Sequence, residues 1–150
     1  MSSSASSSRL PSDGDRRLRI VAAVSGLYDA IVGVMMIAGR PIFASLFAVP
    51  LPVPPIHADL NGVFLLAVAA GYSITYREPR SMGGRAYLWI MGPLLKGMGA
   101  LAFVLDYFFR GSPPSFLLFA LSDGTLALIS WWALATTSRA ASVQSAARPS

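Results

Sequence analysis

The chain has 150 residues, one domain's worth, of which 54% are apolar and only 13% charged, where soluble domains carry roughly 25% charged residues. A soluble helical bundle is excluded on that ground, because helices apolar on every face would need a polar shell that this composition cannot build. The net charge of +5 comes without any nucleic-acid motif, and the absence of cysteine excludes disulfides and thiolate metal ligands.

In chain order, residues 1–18 are rich in serine and poor in large apolar side chains, so they are expected to form a disordered tail. Arg16, Arg17 and Arg19 precede an apolar run that is too long for a secretory signal and lacks a small-residue cleavage site, so it reads as an uncleaved first span. Four stretches reach the roughly 20 apolar residues that a helix needs to cross a bilayer: 19–39, 56–76, 86–109 and 115–137. Only Pro93 of the 11 prolines falls inside a span, where it should kink the third helix next to Gly92. Residues 138–150 are expected to be a second disordered tail. The predicted fold class is therefore all-α, an integral-membrane four-helix bundle with antiparallel neighbouring spans.

The connection after the first span is unusual in being apolar and uncharged. It reads as a short helix from Ile42 to Val49 followed by an extended proline run, lying in the interface or over the bundle as a lid.

Basic residues divide unevenly between the two sides. Arg9, Arg16, Arg17, Arg19, Arg77, Arg80, Arg85, Arg139 and Arg148 fall on one side, and Arg40 and Arg110 on the other. The positive-inside bias then places both termini in the cytoplasm of a multi-pass protein of the cell inner membrane. Basic loops at the headgroups of an anionic leaflet account for the net charge, with membrane lipids as partners and no nucleic acid.

Three ionisable residues lie within the spans: Asp29, Lys96 and Asp123. An ionisable group at membrane depth costs roughly 2.5 kcal/mol or more, so it faces the bundle interior, finds a partner and marks a functional site. At about 1.5 Å per residue, Asp29 lies about 15 Å along its helix from Arg19, Lys96 about 16 Å from Arg85, and Asp123 about 12 Å from Ser115. All three are thus at comparable depth and are expected to meet. Two carboxylates against one ammonium leave one negative charge, which must take up a proton or face a cation or ligand. Small residues around Asp29 (Ala22, Gly26, Ala30, Gly33) and Asp123 (Ala120, Gly124, Ala127, Ser130) suit close helix approach.

Further polar residues crowd the outer half, and nothing comparable is expected on the inner half. Asn61 and Tyr107 join the three charged residues as candidate ligand-binding residues. Asp59 reads as the N-cap of the second span, Asp106 as a partner of Arg110 one turn away, and the lone His57 as an interfacial residue. Trp131, Trp132, Tyr76 and Tyr87 read as an aromatic belt at the inner interface.

The Gly26-Leu27-Tyr28-Asp29 stretch, Asn61-Gly62 at the second span and the Ser122–Leu128 run resemble small four-span bacterial membrane proteins of the DoxX-like kind, over about residues 18–137. That resemblance implies an inner-membrane protein, in some members associated with quinone-linked redox systems. The sequence carries no phosphate-binding glycine loop, nucleophile elbow or metal-binding histidine pair, so no metal or cofactor is assigned. The resulting expectation is a non-catalytic binding or accessory component with an outward-opening intramembrane site, a lipid or quinone-like ligand and a membrane-protein partner. The alternatives are a proton-coupled small-molecule transporter, or a membrane enzyme acting on a lipid or isoprenoid with Asp29 or Asp123 as general acid.

Overall fold

In a computed structural model of the chain, residues 12–146 are described, with side chains through residue 138. Helix α1 spans Asp13–Ile37, α2 Arg40–Phe47, α3 Ile56–Arg77, α4 Met82–Trp89, α5 Gly97–Arg110 and α6 Leu117–Ala146. A π-helical segment, Ile90–Lys96, joins α4 to α5 without a break, and a 3-10 turn at Pro114–Phe116 precedes α6. Among the described residues, four helical stretches are long and apolar enough to cross a membrane: Asp13–Ile37, Ile56–Arg77, Met82–Arg110 and Pro114–Ser138. The protein is an all-helical bundle of four spans, as its composition requires.

The ends of the helices fall beyond the expected spans. Residues 13–18, expected in a disordered tail, are the first turns of α1. Ser12 and Asp15 form a capping box, and Leu18 is fully buried, so this segment has both a start signal and a core contact. Asp15 is further held by a two-pronged ion pair with Arg80, at 2.7 and 2.8 Å. The hydrogen-bonded Asp15 carboxylate holds the Arg80 guanidinium above its ordinary pKa. At the other end α6 runs on to Ala146, through most of the stretch expected to be a tail. The remaining tail positions, 1–11 and 147–150, lie outside the described residues.

Contacts at the two ends establish the up-and-down topology. At the end carrying the termini, Asp15 of α1 meets Arg80 after α3, and Arg85 of α4 reaches Ser138 of α6 at 2.6 Å. At the opposite end Arg40 of α2 pairs with Asp59 of α3 at 3.2 Å, and Ser115 donates to the Phe47 carbonyl. Helix α1 packs closely on α3 through facing glycines. A Cβ on Gly33 would stand 2.8 Å from the Gly62 carbonyl oxygen, nearer than real contacts allow, so the helices touch backbone to backbone.

The terminal half of the bundle holds an apolar core in which Leu18 and Leu88 are fully buried and Val21, Val68, Leu134 and the ring of Tyr72 nearly so. Tyr87 belongs to this interior, not to an aromatic belt. Its hydroxyl donates to the Val68 carbonyl at 2.6 Å, and its ring meets Tyr72 edge-on at 5.4 Å. Tyr76, Trp131 and Trp132 are half exposed, with Arg17 over the Trp132 ring at 5.1 Å and Arg19 over Tyr76 at 6.0 Å.

The short helix forms at residues 40–47, two residues earlier than expected, because Pro41 suits a first helical turn and Ala48 takes a left-handed conformation (φ 51°) that stops it. It folds over the opposite end of the bundle, with Phe43 and Phe47 against Phe119 of α6 at 5.7 and 4.5 Å between ring centres.

Candidate functional site

The three intramembrane charges meet. Lys96 Nζ donates to Asp29 Oδ1 at 2.6 Å and to Asp123 Oδ1 at 3.4 Å, bringing α1, α6 and the π segment together. The side chains of Lys96 and Asp29 are only 5% and 2% exposed, while that of Asp123 is 17% exposed. The two carboxylates are therefore unequal. Asp29 is the enclosed counterion, and Asp123, which also hydrogen-bonds Tyr28, is the looser and more exposed partner.

Pro93, expected to kink the third helix, lies within a continuous π-helical stretch that ends on Lys96. Proline removes a backbone donor, and wider i→i+5 bonding re-satisfies the freed groups without interrupting the span; such segments recur at functional sites. Gly92 lets this stretch approach α6, since a Cβ there would lie 2.7 Å from Ser130 Cβ.

Two participants escaped sequence reasoning. Tyr28 places its ring 4.7 Å from Lys96 Nζ, a cation–π contact that adds to the ion pairs, and its hydroxyl hydrogen-bonds Ser122 Oγ at 2.8 Å. Ser122 also donates to the carbonyls one turn back, as serines in helices commonly do, which makes its sequence signal faint. Tyr28 stood beside Asp29, where a residue next along a helix is ordinarily read as facing elsewhere.

A cavity of about 520 Å³ opens on the triad. Its polar lining includes Tyr28, Asp29, Asn61, Lys96 and Asp123, and its wall includes Phe43, Phe64, Phe103, Phe116 and Phe119. Phe119 gathers this wall, with Phe103 at 5.5 Å and Phe116 at 6.2 Å. A second hollow of about 400 Å³ shares Met36, Phe43, Asn61 and Phe116 with the first and continues past Arg40 and His57. The size and the few convergent polar groups in an apolar wall are those of small-molecule sites.

Of the sequence-predicted site residues, Asp29, Lys96, Asp123 and Asn61 line this cavity and Tyr107 does not. Tyr107 stacks edge-on with Phe108 at 5.2 Å, nearer the end of α5. Asp59 is not an N-cap: Pro55 holds that position, and Asp59, in the first turn, pairs with Arg40 instead. Asp106 pairs with Arg110 at 3.0 Å as the four-residue spacing predicts, and also accepts from Ser112. His57 is exposed beside the second hollow. The half of the bundle that was expected to be free of polar groups is not, since Ser25, Thr75 and Ser130 are completely buried there.

No family model, no curated protein and no solved structure matches the chain.

Proposed function

We propose that this chain is a non-catalytic binding protein of the cell inner membrane, with both termini in the cytoplasm, that holds a small amphipathic molecule with its polar head at Asp123 and its apolar body against the phenylalanine wall. The observation that carries this reading is the 520 Å³ cavity, in which an ion-paired triad and an aromatic wall share one lining. The inner-membrane orientation rests on the uneven distribution of arginines.

The charge balance supports a class of head group. One ammonium against two carboxylates leaves one negative charge, and the looser, more exposed carboxylate is Asp123. A head group that donates hydrogen bonds or carries positive charge suits it: the hydroxyl of a lipid or of a reduced quinone-like molecule, or an amine. Lys96 offers little opposition to such a head, being turned onto Asp29 at 2.6 Å. Helix α2 then acts as the lid through Phe43, and the DoxX-like resemblance is retained as part of the same reading.

A second reading, proton-coupled exchange of the bound molecule, draws on the 3.4 Å separation of Asp123 from Lys96, which leaves that carboxylate free to trade a proton for the ligand. Purification in lipid discs followed by extraction and mass spectrometry tests the main reading. A stoichiometric amphipathic molecule, depleted in Asp123→Asn, is expected; an extract holding only bulk lipid in bulk proportions contradicts it. Proton release on adding the identified molecule would select the second reading.

A further inference from the structure

Among the described residues, Asp29 Oδ2 and Ser130 Oγ lie deep in the bundle without a hydrogen-bond partner, and the buried hydroxyls of Ser25 and Tyr72 have none but each other. Their residues are at most 2% exposed. Isolated orphans of this kind are uncommon in folded proteins, and several together call for a common partner.

Their placement is a layer. Ser25 lies four residues before Asp29 on α1, one turn and about 6 Å toward the terminal end. Gly92 lies four residues before Lys96, one turn in the same direction, and Ser130 Oγ would be 2.8 Å from a Cβ placed there. Tyr72 packs against α1 at Gly26, next to Ser25, with 3.2 Å between its Cβ and the position a Cβ would take. Hydroxyl-bearing residues of α1, α3 and α6 thus lie one to two turns below the triad, with Tyr72 and Ser25 in reach of each other and the free oxygen of Asp29 among the unpartnered atoms. Below them, Leu18 and Leu88 are fully buried and close the bundle.

We propose that this layer is an internal water site, in which water donates to Asp29 Oδ2 and bonds the hydroxyls of Ser25, Tyr72 and Ser130. Water suits the donor set: hydroxyls both give and accept, a carboxylate oxygen only accepts, and a buried water commonly makes about three hydrogen bonds. The site gives Asp29 solvation from below while Lys96 neutralises it from above. Asp29 therefore stays charged as a fixed counterion, and proton or ligand exchange falls to Asp123. The water site does not depend on what fills the cavity, so its failure and that of the binding reading are separately visible.

Water-edited solid-state NMR of the full chain in bilayers, labelled at tyrosine, serine and leucine, tests it. Magnetisation from water is expected to reach Tyr72 and Ser130 at least threefold faster than Leu88; transfer to Tyr72 as slow as to Leu88 overturns the proposal. A Ser25→Ala, Ser130→Ala variant separates the cases again. With water bound, the variant loses transfer to Tyr72 and melts lower, whereas dry orphaned hydroxyls replaced by methyl would raise the melting temperature and contradict the site. If that variant does not fold, the comparison of Tyr72 with Leu88 in the unaltered chain decides alone.

Discussion

Replacing Lys96 by methionine keeps the length and apolar stem of the side chain and removes only the charge that joins α1 to α6. In the folded protein Lys96 is 5% exposed, at 2.6 Å from Asp29 and 3.4 Å from Asp123. Its removal leaves Asp29, itself 2% exposed, as a buried carboxylate without its cation. Breaking a buried pair by deleting one partner costs roughly 3–5 kcal/mol, whereas replacing the whole group by neutral residues is often close to neutral. Lys96→Met should therefore lower stability by about that amount, or about 6–20 °C in melting temperature at about 2–4 °C per kcal/mol. The triple change Lys96→Met, Asp29→Asn, Asp123→Asn should recover most of it. Thermal unfolding in a mild detergent, followed by near-ultraviolet circular dichroism, reads both. A Lys96→Met protein that melts with the unaltered chain would mean that the three charges are not coupled in solution, and the account of the site would fail.

The two aspartates should not respond alike: Asp29→Asn is expected to destabilise by more than Asp123→Asn in the same melting assay, because its contact is shorter and its side chain more enclosed. Gly33→Val should cost about 1–3 kcal/mol by wedging α1 from α3, while Gly83→Ala, in helix α4 where an added Cβ meets nothing within 4 Å, should leave the melting temperature unlowered or slightly raised. Reporter fusions should place both termini in the cytoplasm and a reporter near Pro52 outside, and a periplasmic carboxyl terminus would reverse the orientation.

The triad was legible because ionisable residues inside apolar spans are rare and depth can be counted along a helix. Two aspartates and a lysine on three predicted spans had few places to go other than toward one another. The hydroxyl layer was not legible, since serine and threonine are ordinary in membrane helices and only the fold shows that Ser130 lacks a partner and that Ser25 has none but Tyr72. Asp59 looked like a cap because it stands near a helix start, yet the chain had already turned at Pro55 and Arg40 was in reach. Residues 13–18 looked like tail because their composition is polar, although Ser12 and Asp15 already spelled a capping box. Tyr87 was misread for a different reason: its position along the helix fits an interfacial belt, and only the fold reveals that it points inward.

The binding reading stands or falls on whether the cavity beside Asp123 is occupied. Native mass spectrometry of the protein released from lipid discs can compare the unaltered chain with Val32→Trp, which places an indole where Val32 lines the cavity. The account predicts one tightly held adduct of constant mass on the unaltered chain and its loss from the folded variant. A chain that carries no such adduct, or a variant that keeps it in full, would contradict the account.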